Sequence, residues 1–179
     1  MDFFEVTKNR YSYKRIYKDT PVPLADLEKI AAAGLSAPTG VNTQCVSLII
    51  IGRPELDKLE AVVHANSLAS APAAIALFTD PKLSENAWHD FTVEDYAAAA
   101  ATMCLASVAL GYVSVWLDGC FFDPLHQEGA KAALGLPERC HLRVVIPVGY
   151  PAEEEPRRPK KPFEARVSYG QYGIRRGDQ

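Results

Sequence analysis

The sequence predicts an α/β or α+β fold: a β-sheet with helices packed over it. Three observations carry that expectation. Helix-like and strand-like segments interleave along the whole chain, no segment repeats at a fixed period, and 48% of the 179 residues are apolar against 23% charged. This length suits one domain with a full hydrophobic core, or one half of an intertwined dimer. A single domain over 1–179 is expected, with a distinct tail from about 151 onward.

The elements follow from periodicity and punctuation. Leu24, Leu27, Ile30, Ala31 and Leu35 share one face of "PLADLEKIAAAGL", and Pro23 suits a first-turn position, so a helix is expected there. Pro38 and Gly40 end it in "SAPTGVNTQ". Ser36, Thr39, Asn42, Thr43 and Gln44 in that turn offer hydroxyls, amides and backbone N–H groups to a polar ligand, or simply make a connection rich in turn formers. "VSLIII" reads as a buried strand, "PELDKLEAVVH" as a helix opening with Pro54, and "AAIALF" as a second strand. Further on, "DPLHQEGAKAALG" is a helix capped by Asp123 and entered through Pro124, between strands "VSVWL" and "RVVIPVG".

No charge occurs from Tyr96 to Leu117, roughly the length a membrane span requires. Ala, Ser, Thr and Gly dilute its hydrophobicity, Gly111 divides it, and its flanks are Glu94, Asp95 and Asp118 rather than Lys or Arg. It is therefore read as a helix from about 93 to 110, capped by Thr92 with acids in its first turn and stopped at Gly111. A helix that is apolar all round must be buried all round. In a chain of this size its Ala-rich face is expected against a second subunit.

A net charge of −3 argues against a general nucleic-acid binder. The charges are unevenly spread, however. Lys8, Arg10, Lys14, Arg15 and Lys18 cluster near the start, and Arg157, Arg158, Lys160 and Lys161 near the end. The start "MDFFEVTKNR" has neither the basic n-region nor the apolar h-region of a secretory signal, so a cytoplasmic protein is expected. Cys45, Cys104, Cys120 and Cys140 show no C-x-x-C spacing and no His partners at zinc spacing; reduced, mostly buried thiols and no metal are expected. The tail is rich in Pro and charge, yet Phe163, Tyr169 and Tyr172 recur in it, so it is expected to lie across a surface.

A ligand served by the amide turn and both basic clusters would be anionic at one end and rich in hydrogen-bonding edges elsewhere, as a phosphorylated heterocycle is. Neither G-x-G-x-x-G nor a P-loop occurs, which leaves charged side chains to bind phosphate. Five pieces, "NRYSYKRIY", "AGLSAPTGVNTQ", "EDYAAAAATMCLASVALGYVSVWLDG", "LGLPE" and "VIPVGYPAEEEPRRPKKP", occur in an order that resembles the nitroreductase family of FMN-dependent enzymes. The resemblance implies an α+β fold with a central mixed β-sheet flanked by helices, an intertwined homodimer whose C-terminal tail packs across the partner subunit, and FMN at the subunit interface. It implies flavin contacts for Arg10, Ser12 and Lys14, which match the family's R-x-S-x-[RK] element. Arg10 would pair with the phosphate and Lys14 would stabilise negative charge at the N1/O2 edge. Pro38, Thr39, Asn42 and Gln44 match the family's flavin-binding turn. Asp118 and Gly119 of "LDG" would place a backbone N–H near flavin N5, and Arg158 with Lys160 would clamp the phosphate.

The chain departs from that pattern in two places. "QCVSL" lacks the Trp that many members carry after the turn, and "VVHANSLASAP" offers only His64, Asn66 and Ser67 where a cation often approaches the flavin. The short linker "PKLSENAWHDF" implies an open active site, with Trp88 and Phe91 near its border, or Phe91 instead as a hydrophobic staple for the following helix. The expected activity is transfer of hydride from NADH or NADPH through FMN to a small-molecule acceptor: a nitroaromatic, a quinone, a flavin or an activated alkene. No side-chain acid or base is singled out, and neither nucleic acid nor membrane is expected as a partner. The alternatives are an FMN-binding carrier or sensor without efficient turnover and a structural dimer without cofactor.

Overall fold

The computed structural model describes residues 1–84 and 87–177. Two residues of the linker "PKLSENAWHDF" and the last two of the tail lie outside them. α1 (Phe3–Asn9) begins at a capping box, in which the Asp2 carboxylate accepts from the Glu5 N–H at 2.9 Å and Glu5 reaches back to the Asp2 N–H at 3.2 Å. α2 (Leu24–Leu35) has the bounds expected from its apolar face and buries Leu27 and Ile30. Gly34, also buried, lets α2 approach the long helix of the fold: a Cβ at that position would lie 2.5 Å from Met103 Cγ.

β1 (Val46–Ile51), α3 (Arg53–Val63), the short α4 (Asn66–Ser70) and β2 (Ala73–Thr79) follow. α5 (Thr92–Ala109) leads through Gly111, at φ 87°, into β3 (Val113–Ser114). α6 (Pro124–Leu134) is capped by Asp123, which accepts from the Leu125 and His126 N–H groups at 2.8 and 3.2 Å, and it stops at Gly135 with φ 66°. β4 (His141–Gly149) completes a four-stranded sheet of order β1-β2-β4-β3. One core lies between the sheet and α2 with α5, built on Ile30, Ile75, Met103, Val144 and Ile146. A second fills the opposite face beneath α3 and α6, with Leu56, Leu59, Leu68, Ala130 and Val145. Central β2 and β4 are buried on both faces, whereas β1 is half-buried along most of its length.

Three expectations change. Among the described residues the sheet is antiparallel in every strand pair, not mixed, and the one parallel contact is a lone bridge between Ser12 and Ser114. α3 with α4 joins β1 to β2, and a 3-10 turn (Gly119–Phe122) with α6 joins β3 to β4; each connection begins and ends at the same end of the sheet, as an antiparallel pair requires. The strand "VSVWL" shrinks to Val113–Ser114, because its register places Val115 opposite Pro147, which has no N–H to give. The ladder resumes only at the Leu117–Val145 bridge. Thr92 does not cap α5. It is the first helical residue, its N–H donates to the Asp90 carboxylate at 3.0 Å, and its hydroxyl accepts from Arg143 at 3.2 Å.

Within one chain α5 is not buried all round. Ala99, Ala100, Met103, Cys104, Ser107 and Val108 face the core, while Ala101 and Ala109 are exposed and Ala98 and Leu105 half-buried on another side. Among the described residues no helix is long and apolar enough to cross a membrane.

Candidate functional site

The two basic clusters at opposite ends of the sequence meet in space. Tyr13 and Tyr17 are buried and stack edge to face at 5.0 Å. Ser12 and Lys14 flank Tyr13 on the outward side of an extended segment that joins the sheet through the Tyr13 N–H and Ser114 carbonyl at 2.9 Å. Tyr13 also ties down the tail. Its hydroxyl donates to the Ile16 carbonyl and accepts from the Ala152 and Glu153 N–H groups at 3.2 and 3.4 Å, while the Ala152 N–H donates to Ile16 at 3.0 Å. The Lys14 N–H donates to Glu155. The result is a cleft of about 320 Å³ lined by Lys8, Arg10, Tyr11, Ser12, Lys14, Glu155, Pro156, Arg157, Arg158 and Lys160.

Six cations against one carboxylate give this cleft a strongly positive lining, chemically suited to a multiply charged anion. Its cations are not equivalent. Arg157 lies 4.7 Å over the Tyr11 ring and contacts Asn9 at 3.5 Å, whereas the Arg158 and Lys160 side chains are exposed. Burial raises the Tyr11 hydroxyl above its ordinary pKa, against the lowering effect of Arg157, so Tyr11 is a neutral wall of the cleft.

Pro38, Thr39, Asn42 and Gln44 gather in a different cavity of about 430 Å³, with Ser36, Asp95 and Ala99. It shares no lining residue with the basic cleft. A third, largely apolar cavity of about 400 Å³ between α1, α5 and β3 shares Arg10 and Ser12 with the cleft and adds Ala101, Cys104, Leu105 and Trp116. Asp118 and Gly119 line none of the three, and stand where the 3-10 turn begins. Gly119 has no positive φ, and a Cβ there would meet no atom within 4 Å, so nothing among the described residues demands glycine at this position.

Against solved structures, the chain superposes on one from Parabacteroides distasonis, described as a candidate NADH dehydrogenase/NAD(P)H nitroreductase, with TM-score 0.82 and 29% identity, covering 95% of this chain and 98% of that one. A candidate nitroreductase from Desulfovibrio desulfuricans, solved in complex with FMN, gives TM-score 0.76 at 27% identity over 91% of this chain and 98% of that one. The nitroreductase family model matches residues 7–89. An Archaeoglobus fulgidus protein, also described as a candidate NADH dehydrogenase/NAD(P)H nitroreductase, is 36% identical over 143 residues, which is 79% of this chain and 81% of that one. The chain belongs to the nitroreductase family.

Several features of this chain have no plain signature in its sequence. Asp95 is buried and accepts from the Gly40 N–H at 2.7 Å, the Thr43 hydroxyl at 3.0 Å and the Cys45 thiol at 3.4 Å, all in or beside the amide turn. Burial, with Asp95 adding to it, raises the Cys45 pKa, which keeps that thiol protonated and able to donate. A signal existed: Asp95 lies one and two turns before Ala99 and Met103, on the core face. Phe91 packs on Gly40, and the exposed Trp88 stacks edge to face on Phe91 at 5.3 Å, which sets an aromatic pair beside the turn where "QCVSL" has no Trp. His64 closes α3 at φ 51° and Ser67 is buried in α4; neither lines these cavities. Among the described residues no group of three His, Cys, Asp or Glu is placed to hold a metal.

Proposed function

We propose that this nitroreductase is an FMN-dependent oxidoreductase that takes hydride from NADH or NADPH and passes it to a small organic acceptor in a ping-pong cycle. The observation that carries the reading is the cationic cleft assembled from both ends of the chain, with Arg10, Ser12, Lys14, Arg158 and Lys160 on its walls. This donor set suits a phosphate dianion, and the mixed donors and acceptors of Thr39, Asn42 and Gln44 suit ribityl hydroxyls and a pyrimidine edge. When bound, FMN supplies at N5 the position that exchanges hydride with nicotinamide and acceptor.

The chain's own residues bind and orient. Arg10, Arg158 and Lys160 hold the phosphate, Lys14 supplies positive charge to the pyrimidine edge, and the open side at Gly119 leaves room for a planar ring. Because the cleft and the amide turn are separate in one chain, each is read as one half of a site completed by a second copy. The half-exposed stripe of Ala98, Ala101, Leu105 and Ala109 on α5 supports that dimer, as does the exposure of Phe163 and Tyr172 in the tail. Protein purified without added flavin should be yellow, and anaerobic NADH or NADPH should bleach its visible absorption. A flavin spectrum indifferent to both nicotinamides would instead favour a carrier, and failure to bind added FMN would remove the reading.

A further inference from the structure

The turn that carries Thr39, Asn42 and Gln44 is strained. Val41, Asn42 and Gln44 have φ of 45°, 58° and 51°, in the left-handed region that residues with side chains seldom adopt and β-branched Val least of all. Left alone, three such residues within four positions would relax, so the surrounding structure must hold them.

Asp95 holds them. Asp95 is 2% exposed, and its carboxylate receives the Gly40 N–H, the Thr43 hydroxyl and the Cys45 thiol, donors that lie before, within and just after the strained stretch. The Thr39 hydroxyl closes the loop by accepting from the Gln44 N–H at 3.2 Å, and the Phe91 ring presses on Gly40. Among the described residues Asp95 forms no ion pair, and its charge is met only by these donors and by the N-terminal turn of α5. A buried, unpaired carboxylate is a costly way to close a turn that a neutral amide or a water could also close. It is also a strong and directional one, since both oxygens receive donors from the same turn.

We propose that Asp95 is a positioning residue of this nitroreductase: from α5 it fixes the 39–44 turn in the conformation that presents Thr39, Asn42 and Gln44 to the flavin. This role rests on the FMN reading above. Asp95 does not touch the cofactor in this scheme; it sets the fraction of turns that are competent to bind. Apparent affinity falls in proportion to that fraction.

The test compares FMN dissociation constants of apoprotein variants, each first shown to melt cooperatively. Asp95→Ala strands three donors and should bind FMN about ten- to a hundredfold more weakly. Asp95→Asn keeps one acceptor oxygen and should recover part of that loss, with a defect below about tenfold. Leu59→Ala, in the core on the far side of the sheet, supplies a destabilised control whose FMN affinity should stay within about twofold of the parent. A folded Asp95→Ala protein with parental affinity, or a Leu59→Ala protein with the same loss, overturns the role of Asp95. If Asp95→Ala does not fold, Asp95→Asn and Thr43→Val decide, and parental affinity in both overturns it. Failure of the unmodified chain to bind FMN removes the flavin reading and this role together, whereas tight binding by parent and variants alike removes only the role.

Discussion

Replacing both Arg158 and Lys160 with Ala tests the anion cleft most directly. Both side chains are exposed, so each contact with a phosphate is worth less than a buried charge-assisted bond; about 1 kcal/mol apiece is reasonable. Their joint loss of about 2 kcal/mol corresponds to a rise of about thirtyfold in the FMN dissociation constant. Arg157 makes an internal comparison. It is already engaged over Tyr11 and with Asn9, so Arg157→Ala should cost less than about threefold, mostly through a loosened cleft wall. The assay is titration of apoprotein with FMN, followed by flavin fluorescence, at several salt concentrations. Parental affinity should weaken with salt and that of the double variant should weaken less, because fewer screened charges remain. Affinity within about twofold of the parent at low salt, or an unchanged salt dependence, would refute the assignment of these two residues.

Glycine substitutions separate packing from site geometry. An Ala Cβ at Gly40 would lie 2.1 to 2.5 Å from the Phe91 ring and its Cβ, which cannot swing aside, so Gly40→Ala should destabilise by about 2 kcal/mol, about 4–8 °C in Tm, and weaken flavin binding. Gly34→Ala would set a Cβ 2.5 and 2.7 Å from Met103 Cγ and Sδ in the buried α2–α5 contact, so despite its gain in helix propensity it should destabilise by about 1–2 kcal/mol, about 2–8 °C in Tm, with flavin binding unchanged. Tyr13→Phe leaves the joint between the N-terminal segment and the tail without its hydroxyl. It should cost about 1–2 kcal/mol in thermal melts and loosen FMN as the cleft opens. The hydrogen bonds of Arg139 hold the Asp80 carboxyl below the ordinary carboxylate range. A depressed native pKa stabilises the fold above the unfolded value and loses that contribution on acidification, so the gap in melting temperature between the parent and Asp80→Asn should be full at neutral pH and close below about pH 4.

Most of the framework was legible because period and punctuation agreed. Leu24–Leu35, Val46–Ile51 and the Asp123-capped α6 lie where their apolar spacing and caps place them. α1 was hidden because a seven-residue helix is too short to show a period, and the Asp2–Glu5 box stands beside basic residues whose clustering is the stronger local signal. The interruption of "VSVWL" was invisible for a different reason: its cause, Pro147, sits on another strand and meets Val115 only once register is fixed. At the site, composition showed two cationic ends. Their meeting depends on Tyr13 and Tyr17, two aromatic residues whose burial no local pattern announces.

α5 explains why an Ala-rich helix serves this fold better than a Leu-rich one. Its core face must lie close against α2, where Gly34 meets Met103, and small residues at Ala99 and Ala100 allow the approach. Its first turn must at the same time carry Asp95 into the amide turn, a polar demand within a buried surface. Its remaining stripe of Ala98, Ala101, Leu105 and Ala109 stays partly exposed, with Ala101 and Leu105 also lining the apolar cavity next to Arg10 and Ser12. A second copy seated on that stripe would therefore close against the same wall that borders the anion cleft. In the proposed dimer, cofactor binding and subunit association would then stabilise each other, because each buries part of what the other leaves open.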